Sequence, residues 1–260
     1  FAPRLQQQQM AAAVDAILQE GGTLIVEAGT GTGKTYAYLI PALRSGARVI
    51  ISTGTRHLQD QLYHRDLPVV RRALKSRVKI ALLKGRSNYL CRYRLRLTAV
   101  DGRLPSREQV AELRRIRAWA GRTHHGDIAE VADVPENSSI WPRVTSTVDN
   151  CLGSDCPDLE DCFFAKARRE AQEAELLVIN HHLFFADMAI RETGFAELLP
   201  GAEAMILDEA HLLPDIAGFF FGKSLSSWQL LDLARDTLVE RGHARGAGSS
   251  RSPRPVAGGF

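Results

Sequence analysis

Two short stretches, far apart in the chain, carry the side chains needed to handle phosphate and a divalent cation. Residues 28–35 read A-G-T-G-T-G-K-T. Gly29, Gly31 and Gly33 have no side chains, so backbone N–H groups can turn inward on phosphate oxygens, with Ala28, Thr30 and Thr32 completing the loop. A helix starting at Lys34 would aim its positive end at the same anion. Lys34 is then placed to reach the β and γ phosphates of ATP, and the Thr35 hydroxyl to ligate Mg²⁺. Ala28 stands where the general pattern has glycine, a small-for-small exchange. The second stretch, Asp208-Glu209-Ala210-His211, follows the apolar run Met205-Ile206-Leu207. Asp208 would hold Mg²⁺ through water, and Glu209 would orient or deprotonate the attacking water. His211 would relay the state of the nucleotide to a neighbouring surface. The bland alternative for the first stretch is an ordinary Gly-rich turn, which its place between a strand and a helix argues against; the second, alone, reads equally as an exposed helix start, and paired with the first it completes a phosphoryl-transfer site.

A third group is made of sulfur. The four cysteines are Cys91, Cys151, Cys156 and Cys162, with gaps of 59, 4 and 5 residues. Four thiolates are a full ligand set, so metal binding is their leading chemical use, with zinc and iron-sulfur as the choices and unligated cysteines as the bland reading. Structural zinc relies on pairs of closely spaced cysteines, and only the middle gap qualifies, so the spacing leans away from zinc. Around Cys91 the chain is basic: from Lys84 to Arg122 there are eleven Lys or Arg against Asp101, Glu108 and Glu112. Such an excess attracts phosphate backbones, although a solvated helix face accounts for it equally well. Tyr89, Tyr93 and Trp119 lie in the same segment as candidate stacking surfaces for a single strand, against the alternative of core packing.

Placing these groups requires a parallel sheet. Residues 4–19 have helical periodicity through Leu5, Met10, Val14 and Ile17, stopped by Gly21-Gly22. Strands are predicted at 23–27, 48–52 and 78–83, with helices at 34–43 and 58–74 between them. This alternation implies an α/β fold, a parallel sheet with helices on both faces and ligands at the carboxyl ends of the strands. The pattern breaks over 85–173, which is Arg-rich and loop-rich and holds all four cysteines, and resumes with strands at 176–179 and 204–207. The expected organisation is therefore 1–84 as the first part of the α/β domain, 85–173 as an insertion, 174–212 as the second part, and 213–241 as the start of a further module containing a helix at 228–240. Residues 242–260 form a Gly/Ser/Pro/Arg tail unable to build a core.

With both phosphate-handling motifs in order, the sequence resembles the superfamily 2 DEAH-type helicases, and more narrowly the iron-sulfur branch of DinG and YoaA related to XPD. Further residues carry the likeness. Arg4-x-x-Gln7-x-x-Met10 resembles that family's adenine-reading motif; Ser52-Thr53-Gly54-Thr55 with Leu58-x-x-Gln61-Leu62 resembles its motif Ia, which contacts DNA phosphates; Asn180-His181-His182-Leu183 resembles the segment preceding the acidic motif. The resemblance implies a RecA-like P-loop domain with an inserted [4Fe-4S] domain held by Cys91, Cys151, Cys156 and Cys162. It further implies ATP-driven five-prime to three-prime movement on single-stranded DNA, action on forked or damaged duplex, and a place in DNA repair. No arginine finger or second motor domain is recognisable, so the chain itself is expected to bind ATP weakly and hydrolyse it negligibly. The competing readings are another P-loop ATPase or kinase with structural zinc, and a non-catalytic nucleic-acid-binding module.

Composition sets the remaining bounds. The 260 residues are 45% hydrophobic with a net charge of +3, enough for one sizeable core. No run approaches the roughly 20 apolar residues that span a bilayer, and the amino terminus lacks a leader pattern, so a cytoplasmic protein without membrane contact is expected. The chain opens on Phe1, which predicts that the native start lies upstream.

Overall fold

The computed structural model describes residues 4–29, 31–102, 104–192, 198–223, 227 and 230. The chain forms two compact units, Phe1–Phe220 and Phe221–Phe260. The predicted helix at 228–240 and the tail at 242–260 fall outside the described residues, apart from Leu230. The first unit runs α1 (Leu5–Glu20), α2 (Lys34–Arg44), β1 (Val49–Thr53), α3 (Arg56–Gln61), a π turn (Leu62–Asp66), α4 (Leu67–Leu74) and β2 (Ile80–Leu82). It continues with α5 (Arg92–Asp101), α6 (Arg107–Ala120), α7 (Trp141–Val144), α8 (Phe163–Glu173), β3 (Leu176–Asn180), α9 (His181–Glu192) and β4 (Ala204–Leu207). β4 is followed by α10 (Leu213–Phe221).

The four strands are parallel in the order β2-β3-β1-β4. Val49 pairs with Leu176 on one side and Ala204 on the other, so β1 and β3 are central and buried throughout. Their continuous apolar runs are what a strand covered on both faces needs. Side chains alternate between two cores as the pleat demands. Val49, Ile51, Leu176 and Val178 face Val14 of α1, Tyr38, Leu39 and Leu43 of α2, and Leu67 and Val70 of α4. Ile50, Leu177 and Ile179 face the other way, toward Ile116, Trp119, Ile140, Trp141, Phe163 and Phe164. The segment at 85–173, which lies between β2 and β3 in sequence, thus has apolar residues that share one core with the sheet.

Three differences from the sequence-based expectation have physical reasons. The predicted strand at 23–27 is not in the sheet: Ile25 is 92% exposed, and no ladder partner meets it among the described residues. Its composition is that of a buried strand, but a strand exists only through a neighbour's hydrogen bonds. The helix expected at 58–74 begins at Arg56, where the Thr55 hydroxyl accepts from the Leu58 N–H at 3.2 Å, and is interrupted by the π turn. Pro68 lacks the N–H needed to continue the α ladder, and the preceding turn widens. The basic run, finally, is partly consumed internally. Lys84 is buried between Asp60 and Asp127, Arg96 pairs with Asp158 at 2.8 Å, and Arg86 and Arg92 lie over the rings of Phe164 and Phe163. Arg107, Arg114, Arg117 and Arg122 remain exposed on or just after α6. Tyr89 and Trp119 are core residues, which leaves half-exposed Tyr93 as the candidate stacking surface of the three.

Among the described residues, no helix is long and apolar enough to cross a membrane.

Candidate nucleotide site

The Gly-rich stretch at 28–35 forms a loop that feeds directly into α2. Gly31 and Gly33 have φ of 77° and 88°, left-handed values open to glycine, and Gly33 is the cap residue of the helix. The Thr32 hydroxyl donates to the Gly29 carbonyl at 2.9 Å, closing the loop on itself. Thr30 lies outside the described residues. Lys34 and Thr35 occupy the first turn of α2, where orphan N–H groups favour an anion. Arg4 and Gln7 lie against this same loop: Arg4 donates to the Gly31 carbonyl, and Gln7 Nε2 to the Gly33 carbonyl at 3.0 Å.

The acidic stretch arrives on β4 at the carboxyl end of the sheet, and the fold closes the long sequence gap. Lys34 Nζ stands 3.5 Å from Glu209 Oε1, and His211 Nδ1 3.4 Å from Glu209 Oε2. Glu209 is held in the left-handed region at φ 55°, a conformation costing a non-glycine residue about 1–3 kcal/mol and typical of functional turns. Asp208 is engaged at every polar group. Its N–H donates to the Ser52 carbonyl at 2.9 Å, Oδ1 accepts from the Glu209 N–H at 3.1 Å, and Oδ2 accepts from the Tyr38 hydroxyl at 3.0 Å. Its carbonyl meets His181 Nε2 at 2.9 Å.

His181 is fully buried, with Nδ1 2.7 Å from Ser52 Oγ. A carbonyl can only accept, so Nε2 carries the proton and Nδ1 accepts from the Ser52 hydroxyl. Burial pushes the His181 ring below its ordinary value, and the hydrogen bonds to the backbone of Asp208 and Glu209 partly offset it. Its neighbour Asn180 caps α9 by accepting from the Leu183 N–H at 2.9 Å. The stretch 180–183 is therefore both a satisfied turn and a support for the acidic residue beside it.

Residues 52–55 pack against the same turn. Ser52 and Thr53 are buried, and Gly54 lies so close to Leu212 that an added Cβ would collide with its Cδ1. Of the motif's hydroxyl groups, only that of Thr55 stands on an exposed residue.

Cys91 and Cys162 are the cap residues of α5 and α8, and Cys151 and Cys156 flank a short 3₁₀ turn at Gly153–Asp155. All four are half-buried thiols. Burial first, and then Cys162, Cys156 and Cys151, push the Cys91 thiol up, so the fold brings the other three within electrostatic reach of it. Arg86 Nη1 donates to Cys151 Sγ at 2.7 Å. Among the described residues, no three His, Cys, Asp or Glu side chains are gathered closely enough to hold a metal ion.

The sequence did not single out Tyr38, the close approach of Gly54, or the buried Lys84. A hydroxyl one turn beyond Thr35 on an apolar helix face was the available signal for the first; the others depend on which elements meet.

The DEAD/DEAH box helicase family profile matches residues 6–101. The chain is 57% identical over 239 residues to the ATP-dependent DNA helicase YoaA of Escherichia coli (strain K12), covering 92% of this chain and 38% of that protein. YoaA of Haemophilus influenzae is 53% identical over 239 residues, covering 92% of this chain and 37% of the relative. The ATP-dependent helicase DinG of Mycobacterium tuberculosis is 39% identical over 234 residues, covering 82% and 34%. The chain thus spans little more than a third of the length of these curated relatives. The Gly-rich loop, the acidic turn and the parallel sheet that joins them thus lie in a chain that is similar to YoaA and DinG over most of its own length and that matches the DEAD/DEAH box helicase profile over residues 6–101.

Proposed function

We propose that this domain binds Mg-ATP and belongs to an ATP-dependent DNA helicase that moves five-prime to three-prime along single strands, opening forked or damaged duplex in DNA repair. The observation that carries the reading is the meeting of Lys34 with Glu209 at 3.5 Å beside an Asp208 fixed at every polar group. Lys34 takes the β and γ phosphates, with Gly29, Gly31 and Gly33 supplying the backbone cradle. Asp208 and Thr35 are hard oxygen donors that fit Mg²⁺, which neutralises charge between the phosphates when bound. Glu209 orients the attacking water, and its ion pair with Lys34 is exchanged for phosphate when nucleotide enters. His211, on the exposed side of Glu209, passes the state of the site outward. Arg4 and Gln7 sit where a base beyond the loop would be read.

For the cysteines, we propose the [4Fe-4S] cluster. Four half-buried thiols, three of them within electrostatic reach of Cys91, would be a full donor set for it, and Arg86 donates to the Cys151 sulfur. When bound, such a cluster would supply a rigid covalent brace to a segment whose Phe163, Phe164 and Trp141 share a core with the sheet. The organisation proposed is a RecA-like part at 1–84 and 174–212, the cluster segment at 85–173, and a further module from 213.

Anaerobic purification followed by iron, sulfide and zinc analysis, with single-strand binding measured across a salt series, tests the reading. About four iron and four sulfide per chain are expected, with affinity for single strands falling steeply as salt rises. Stoichiometric zinc with no affinity for single strands would instead mark a different kind of P-loop enzyme.

A further inference from the structure

The hydroxyl of Tyr38 meets one of the two groups assigned to the cation and lies one turn beyond the other on α2. It donates to Asp208 Oδ2 at 3.0 Å, and Thr35 is in the first turn of the same helix. A phenol has one proton to give, and here it goes to the carboxylate. Tyr38 is only 3% exposed, and its ring is packed in the core with Leu39, Leu43, Val49 and Ile51. Its position is thus set by the hydrophobic core, not by solvent. We propose that Tyr38 is a positioning residue for Mg²⁺: its core-anchored hydroxyl fixes the Asp208 carboxylate before the cation arrives. This inference rests on the assignment of Thr35 and Asp208 to Mg²⁺.

The physical basis is that ligands oriented by a second layer of hydrogen bonds lose less freedom on binding. Removing such a partner typically costs about 10–100-fold in metal affinity. The carboxylate retains lone pairs on Oδ2 beyond the one Tyr38 uses, so the contact orients it without blocking a cation or its water.

The test is Tyr38→Phe in the full chain, with a fluorescent ATP analogue bound at a series of Mg²⁺ concentrations and again in EDTA. The expected result is a half-saturating Mg²⁺ concentration raised about 10-fold or more, with metal-free affinity for the analogue and thermal stability close to wild type. Tyr89→Phe is the control: Tyr89 is also buried, and its hydroxyl accepts from the Lys84 N–H at 3.1 Å, away from the loop. It should leave the Mg²⁺ dependence unchanged. A folded Tyr38→Phe protein with wild-type Mg²⁺ dependence overturns the inference and leaves the assignment of the Mg²⁺ ligands standing. A wild-type chain that binds the analogue without any Mg²⁺ dependence, as Asp208→Asn would then also do, overturns both.

Discussion

Replacing Lys84 by alanine should unfold the contact between the cysteine-bearing segment and the sheet domain. Lys84 Nζ lies 2.6 Å from Asp60 Oδ1 and 2.6 Å from Asp127 Oδ2, with only 2% of the side chain exposed. Asp60 belongs to α3 and Asp127 to the loop before Ile128, so one ammonium ties the helix after β1 to the inserted segment. Around it, Gln59 donates to the carbonyls of Leu83 and Val178, and Arg56 Nη1 donates to Asn88 Oδ1. Deleting one partner of a buried ion pair costs about 3–5 kcal/mol, because the remaining charge is stranded. Here two carboxylates would be stranded together. At roughly 2–4 °C per kcal/mol for a domain of this size, Tm should fall by about 6–20 °C. The assay is thermal and urea unfolding of Lys84→Ala beside the triple variant Lys84→Met, Asp60→Asn, Asp127→Asn. The triple variant should recover much of the loss, since no unpaired charge remains. A drop below about 1 kcal/mol, the scale of an exposed pair, would refute the reasoning.

Further outcomes follow from the acidic turn. Gly54→Ala should push residues 53–55 off Leu212, costing about 1–3 kcal/mol in unfolding experiments, and Leu212→Ala in the same chain should restore much of it. A Gly54→Ala variant as stable as wild type would contradict the close approach. His181→Asn should flatten the acid side of the stability profile. The folded ring is held below its ordinary value of 6.5. Its contribution to stability is therefore complete above that pH and lost as pH falls from 6.5 through the depressed folded value, because the unfolded chain takes up the proton first. Urea midpoints of wild type and variant between pH 5 and pH 8 check this; parallel profiles would count against a neutral His181. Losing the ring also leaves the Asp208 carbonyl and Ser52 hydroxyl without this partner, so about 1–3 kcal/mol should be missing at neutral pH.

Much of this domain was legible in the sequence because the strands at 49–53, 176–180 and 204–207 are short apolar runs flanked by helical periodicity. Residue type and spacing also singled out Lys34 and Glu209, which the fold brings to 3.5 Å from each other. What escaped was set by partners. Leu24, Ile25 and Val26 have the composition of a strand but find no ladder among the described residues, and composition says nothing about that. The basic run read either as a surface for polyanions or as a solvated helix face, and part of it is neither: Lys84, Arg86, Arg92 and Arg96 are drawn to carboxylates, a sulfur and aromatic faces. A linear sequence shows how many cations are present, not how many a fold neutralises. Tyr38 passed as one more apolar position on α2 because its hydroxyl gains meaning only from Asp208, 170 positions away.

The measurement that most directly tests the account is equilibrium binding of Mg-ATP to the wild-type chain and to Lys34→Ala. The account predicts saturable binding by wild type that weakens by at least about 10-fold in the variant, since an ion pair or hydrogen bond to a phosphate contributes about 1.5–3 kcal/mol. Equal affinity in the two proteins would mean that the loop at 28–35 does not hold the nucleotide, and the proposed motor site would fall with it.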